Sequence, residues 1–147
     1  MIKRLILFIV IVFSLFSVYV TYSVFKGMID QTLVDIDISN KSNSIEYDKI
    51  DDLFSSFPNV SVTTIPLNSY KAFYYYNFKN YDKALTILEE SRLHNPYIFF
   101  VEFLKAKIFE SQNQIDSAIT YSKQAFYGWP KNIDHFRFYT DLLSQKG

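Results

Sequence analysis

The residues able to do chemistry are few, and their spacing does not gather them. His94 and His135 are the only histidines. A helical hairpin's worth of chain separates them, which makes surface or partly buried structural roles the plain reading. Asp51-Asp52 and Glu89-Glu90 are paired carboxylates, but adjacent positions on a helix point in different directions and do not converge on one proton. There is no cysteine, which removes disulfides, thiol catalysis and thiolate-bound metal. With three glycines in 147 residues, a backbone cradle for phosphate is hard to build, and no nucleophile elbow is present. The expectation is a protein that is not an enzyme, holds no metal or cofactor, and works through a surface.

The surface candidates are aromatic. Tyr70, Phe73, Tyr74, Tyr75, Tyr76 and Phe78 crowd one stretch, and consecutive aromatics cover every side of a helix. Some must pack inward, which leaves others for a partner. Stacking on nucleic acid calls for a basic stripe beside the rings. The formal net charge is zero, so no nucleic-acid partner is expected. Charge is spread unevenly, however. Between residues 30 and 52, Asp30, Asp35, Asp37, Glu46, Asp48, Asp51 and Asp52 face only Lys41 and Lys49. The plain reading is a solvated linker, and an acidic docking segment is the sharper alternative.

What must position these residues is a pattern written twice between Ser69 and Pro130. Ala72 recurs as Ala106, Tyr75 as Phe109, Ala84 as Ala118, Ser91 as Ala125 and Pro96 as Pro130, each 34 residues on. The chain has five alanines, Ala72, Ala84, Ala106, Ala118 and Ala125, and all fall on the small positions of this pattern, where helix backbones must approach closely. The pattern resembles the tetratricopeptide repeat (TPR), a helix–turn–helix unit of about 34 residues. The resemblance covers about half the chain. The Trp and Leu-Gly usual in the first helix are absent, with Asn68 and Lys71-Ala72 in the first unit and Glu102 and Lys105-Ala106 in the second.

The resemblance implies an all-α chain, with a short TPR-like α-solenoid of antiparallel helix pairs. It also implies a concave groove, lined by the first helix of each pair, that takes a peptide or extended segment of a partner protein. By register the groove residues are Ser69, Phe73, Tyr76 and Asn77, then Phe103, Lys107, Glu110 and Ser111. Phe73 and Phe103 could equally be interhelical core. The basic clamp of certain chaperone-binding TPR domains is not reproduced, because Ser69 and Phe73 stand where it expects Lys and Asn. That ligand is not carried over.

Ahead of the repeats, Lys3 and Arg4 precede an apolar run from Leu5 to Phe25, interrupted only by Ser14, Ser17, Thr21 and Ser23. About 20 helical residues cross a bilayer core. The run has no Ala-x-Ala site, so an uncleaved signal anchor is favoured over a cleaved signal peptide. Basic residues in front and acids behind predict a single pass through a bacterial inner membrane, with a cytoplasmic N-terminus and an extracytoplasmic, periplasmic remainder.

The expected organisation is a membrane anchor over 1–27, an acidic linker over 28–43 with a loop from Ser39, and a degenerate half-repeat helix with its connector over 44–65. Two repeats and a capping helix follow over 66–147. The periodicity of Ile50, Leu53, Phe54 and Phe57 predicts a helix over 44–57 with those four residues in the core. Asn43 would cap it, with Glu46 as capping-box partner. Asn59 to Ile65, rich in β-branched residues, reads as an extended connection. Further helices are expected over 66–78, 81–93, 96–111, 115–127 and 132–144, with Pro96 opening the third of these.

The expected function is a membrane-anchored adaptor or scaffold that binds a protein partner, in a membrane or envelope complex, through the groove. Self-association is also open, because two repeats are few for a stack. Two alternatives stand beside it. The order of apolar helix, Phe-Pro-Asn-Val and two repeats is also similar to the C-terminal tails of bacterial O-antigen ligase or polymerase-like membrane proteins. That implies an accessory module of a polysaccharide enzyme. The other alternative is a structural subunit with its aromatic face permanently buried.

Overall fold

The computed structural model describes residues 2–40, 42, 44–54, 57, 59–61 and 63–146. Among them are six α-helices: α1 (Ile2–Asn40), α2 (Leu67–Asn77), α3 (Tyr81–Arg92), α4 (Phe100–Ser111), α5 (Ile115–Gly128) and α6 (Ile133–Lys146). A single 3-10 turn covers Tyr47–Lys49, and one isolated β-bridge joins Val60 to Pro66. Among the described residues there is no strand, and turns and bends join the helices.

α1 changes character along its length. Over residues 5–25 it is apolar on all sides and almost wholly exposed, and it is long and apolar enough to cross a membrane. The helix then continues unbroken to Asn40, so the stretch 28–43, expected to be a linker with a loop from Ser39, is helical through Asn40. The cause is a buried stripe at spacings of three and four: Ser23, Gly27, Gln31, Val34 and Asp37. Val34 belongs to the same hydrophobic core as Leu67, Tyr70 and Tyr74 of α2. The acids in this stretch hid an amphipathic helix whose buried positions include the acid Asp37.

Asp37 also turns the chain. Its Oδ1 accepts from the Ser42 hydroxyl at 2.6 Å, the Ser44 amide at 2.8 Å and the Ser44 hydroxyl at 2.6 Å, while Oδ2 accepts from the Tyr74 hydroxyl at 2.7 Å. The chain after α1 is thereby folded back against α2.

The helix expected over 44–57 is not seen among the described residues of that stretch, 44–54 and 57; a 3-10 turn, turns and bends take its place. Phe54 adopts φ 62°, a left-handed conformation that stops a helix. The segment's polar groups are taken by neighbours instead. Asp51 accepts from the Tyr75 hydroxyl (2.8 Å) and Lys83 Nζ (2.7 Å), Asn80 donates to the Tyr47 hydroxyl (2.7 Å), and Asp30 accepts from the Phe54 amide (3.3 Å). A helix this short is marginal on its own, and packing decides its form. Ile50 and Phe54 are buried and Leu53 is half-buried, but Phe57, expected in the core, is exposed. The Asn43 cap lies outside the described residues, as do Pro58 and Val62.

The remaining helices follow the expected order. α2 packs on α3, α4 on α5 and on α3, and α6 on α5. All five alanines are fully buried, so each marks a place where a larger side chain would force backbones apart. The turns closing α2 and α4 are copies of each other. Lys79 and Asn113, 34 residues apart, have φ 61° and 58°. Asn80 N–H bonds Tyr75 O and Gln114 N–H bonds Phe109 O, both at 2.9 Å. This Schellman-type closure satisfies the last carbonyls of each helix and reverses the chain within three residues.

α4 starts at Phe100, not at Pro96. Asn95 ties the intervening turn, accepting from the Tyr97 amide at 3.1 Å and donating to Thr64 O at 2.8 Å. Phe99 sits at φ 54°, so the helix cannot begin before it.

Candidate partner-binding groove

One long groove of about 750 Å³ runs between the end of α1 and helices α2, α4 and α6. Its floor is aromatic. Phe103 meets Phe138 edge-on at 5.5 Å and stacks on His135 at 4.8 Å, and Tyr70 and Phe100 are 6.2 Å apart. Burial lowers the pKa of His135, whose Nδ1 lies 3.0 Å from Ala125 O, so this ring is a neutral structural element.

Charged groups stand on the walls. Asp35 lies on α1, Lys107 on α4, and Asp134, Arg137 and Asp141 on α6. Lys107 Nζ sits over the faces of both Phe103 (5.3 Å) and Phe138 (5.4 Å), where the ring quadrupoles attract a cation. The lining carries one more carboxylate than it does cations.

The lining positions fall in the 34-residue register. Residues 35, 103 and 137 all line the groove, with Ser69 buried at the equivalent place on α2. A second set, Ser39, Phe73, Lys107 and Asp141, lines it on all four helices. Successive helices therefore present equivalent positions to a common concavity, and the last two turns of α1 take part.

The eight residues expected from sequence divide. Phe73, Phe103 and Lys107 line the groove. Ser69 does not reach it: the residue is fully buried, and its Oγ has no hydrogen-bond partner. Tyr76 packs against Phe73 and Tyr81, and its hydroxyl accepts from Ser111 at 3.4 Å. Glu110 accepts from Gln145 at 3.4 Å. Asn77 is half-buried at the end of α2. These last four positions form the end of the molecule where α2 and α4 terminate.

Sequence reasoning missed Asp35, Ile38 and Ser39, because residues 28–43 read as linker. It also missed Asp134, Arg137 and Asp141, because α6 read only as a cap. Carrying the register one unit in each direction, from Phe73 and Lys107 to Ser39 and Asp141, would have found both walls. Among the described residues no group of three His, Cys, Asp or Glu side chains is placed to hold a metal ion. Compared with protein-family models, curated proteins and solved structures, the chain matches none of them.

Proposed function

We propose that this chain is a membrane-anchored, TPR-like interaction adaptor that receives an extended segment of a partner protein in the groove between α1, α2, α4 and α6. The observation that carries the reading is the register of the lining: Ser39, Phe73, Lys107 and Asp141 come from four helices at 34-residue intervals and meet in one concavity. Aromatic floors supply contact area at low entropic cost, and flanking charges fix orientation. α1 anchors this surface in a bilayer, with residues 5–25 as the spanning segment. The basic residues at its start favour a cytoplasmic N-terminus in a bacterial inner membrane, with the groove on the opposite side.

The test is site-specific photo-crosslinking of the full chain in native membranes. A photoreactive residue replacing exposed Arg137 on the groove wall is compared with one replacing exposed Thr120 on α5. A single protein adduct is expected at position 137 and not at 120. Ser39→Trp, which fills the groove from an exposed position without emptying the core, is expected to abolish it. Equal labelling at both positions, or an adduct that survives Ser39→Trp, rules the reading out.

A further inference from the structure

α1 and α2 run side by side in the same direction. Gly27 and Met28 share a small cavity with Val60, Ser61 and Leu67 at the start of α2, and ten residues on, Asp37 holds the Tyr74 hydroxyl. The start of α2 therefore lies at the level where the apolar run ends. The helix reversals at 78–80 and 112–114 then lie at the far end, away from that level. The connections before α4 and before α6 lie at the near end.

Contacts along this near edge are continuous. The segment touching α1 is bonded to the first connection, Asn59 to His94 (3.5 Å) and Asn95 to Thr64 O (2.8 Å). The first connection reaches the second through the Phe99 ring, which lies against Gly128. From residues 60 and 61, which line a cavity with α1, hydrogen bonds and ring packing lead through the first connection to Gly128.

Several large apolar side chains on this edge are exposed. Leu93 is 83% exposed, Tyr97 83%, Tyr127 65%, Ile133 54% and Trp129 40%. No acidic residue occurs from Leu93 to Val101 or from Ser117 to Ile133, while Arg92, His94 and Lys131 are present and exposed. Acids flank the connections on both edges: Asp82 and Asp116 in the first turns of α3 and α5 at the far edge, and exposed Asp134 in the first turn of α6 at the near one.

We propose that this edge is a lipid-binding surface: Leu93, Tyr97, Tyr127, Trp129 and Ile133 enter the headgroup layer of the same bilayer that α1 crosses. Three observations point to lipid. Gly27 is two residues past Phe25, about 3 Å along the helix, and the headgroup layer is about 5–7 Å deep on each side of the hydrocarbon core, so the edge stands at its depth. Exposed Tyr and Trp with basic neighbours are the composition that partitions to membrane interfaces. The connecting segments themselves, residues 93–99 and 129–133, carry no acid, which limits repulsion from anionic headgroups. The inference rests on α1 spanning the bilayer and is independent of what occupies the groove.

Trp129 is the only tryptophan and reports on the edge directly. The full chain is reconstituted in phosphatidylcholine–phosphatidylglycerol vesicles, with or without a headgroup-attached spin-label quencher. The reference is Trp129→Phe/Gln114→Trp, which moves the reporter to an exposed site on the far edge with no side-chain capping bond. Blue-shifted Trp129 emission and its loss in labelled vesicles, with red, unquenched emission from position 114, are expected. Equal quenching at the two positions overturns the proposal. So does a Trp129 shielded from acrylamide yet untouched by the lipid quencher, which would mean that protein covers the edge. Extraction of the chain from the vesicles by alkaline carbonate overturns the spanning reading and the lipid surface with it.

Discussion

A single carboxylate decides how the chain leaves α1. Burial pushes the pKa of Asp37 up, but hydrogen bonds from Ser42, Ser44 and Tyr74 outweigh it and hold the group well below its ordinary 3.8. Tyr74, in return, is raised by burial and by its bond to Asp37. The folded carboxyl binds protons more weakly than the unfolded one, so its contribution is present above the unfolded pKa and is lost as pH falls below about 4. Asp51 has the same sign, through its bonds to Lys83 and Tyr75. Asp37→Ala is expected to cost about 2–3 kcal/mol in unfolding at neutral pH, since hydrogen bonds to a charged group are lost and one donor, the Tyr74 hydroxyl, is left buried. The variant should also lose part of the acid limb of the stability–pH curve. Circular dichroism melts of the full chain in detergent from pH 2 to pH 7 measure both. An unchanged curve would remove Asp37 from this role. None of this was legible in the sequence, where Asp37 is one acid among seven and its four donors come from three places.

At the scale of elements, the repeated turns were half legible. The 34-residue pattern located α2, α3, α5 and α6 to within about two residues, because each pairs an apolar stripe with a short polar break. It could not show that Lys79 and Asn113 would take left-handed conformations, since nothing in a Lys announces one. A lysine there bears the steric cost of a Cβ against the following carbonyl, which glycine avoids. Lys79→Gly is expected to stabilise the protein by about 0.5–1 kcal/mol. Asn113→Gly should do less, since Asn tolerates that region. Thermal midpoints of the two variants test the order, and a destabilised Lys79→Gly would contradict it. The start of α4 misled for the opposite reason. Pro96 is a helix-opening residue, but Asn95 and the left-handed Phe99 hold residues 95–99 as a turn. Tertiary contacts to Thr64, invisible in a linear pattern, settled the competition.

Across the whole molecule, the main departure from the sequence reading is that the apolar segment long enough to cross a membrane and the groove share a helix. The sequence read residues 28–43 as a tether because their acids masked a stripe of three- and four-residue spacing. The lining was legible at Phe73, Phe103 and Lys107, and the other charged wall residues were not, because they belong to the two helices assigned other duties. Two fragments separate the descriptions. A chain of residues 26–147 keeps the α1–α2 contacts and is expected to unfold cooperatively. A chain of residues 44–147 uncovers Leu67, Tyr70 and Tyr74 and is expected to melt broadly or aggregate. Equal, cooperative melts would return residues 28–43 to the status of a tether.

An unbroken α1 is also a lever. Its 39 residues span about 58 Å at 1.5 Å per residue, with Gly27 about two-thirds of the way along and Asp35, Ile38 and Ser39 at the far end. A spanning helix tilts when the bilayer thins, and a stiff rod that tilts on one side of its pivot swings on the other. If α1 spans a bilayer and the groove takes a guest, as proposed, closing the groove and leaning the helix in lipid would be two ends of one motion.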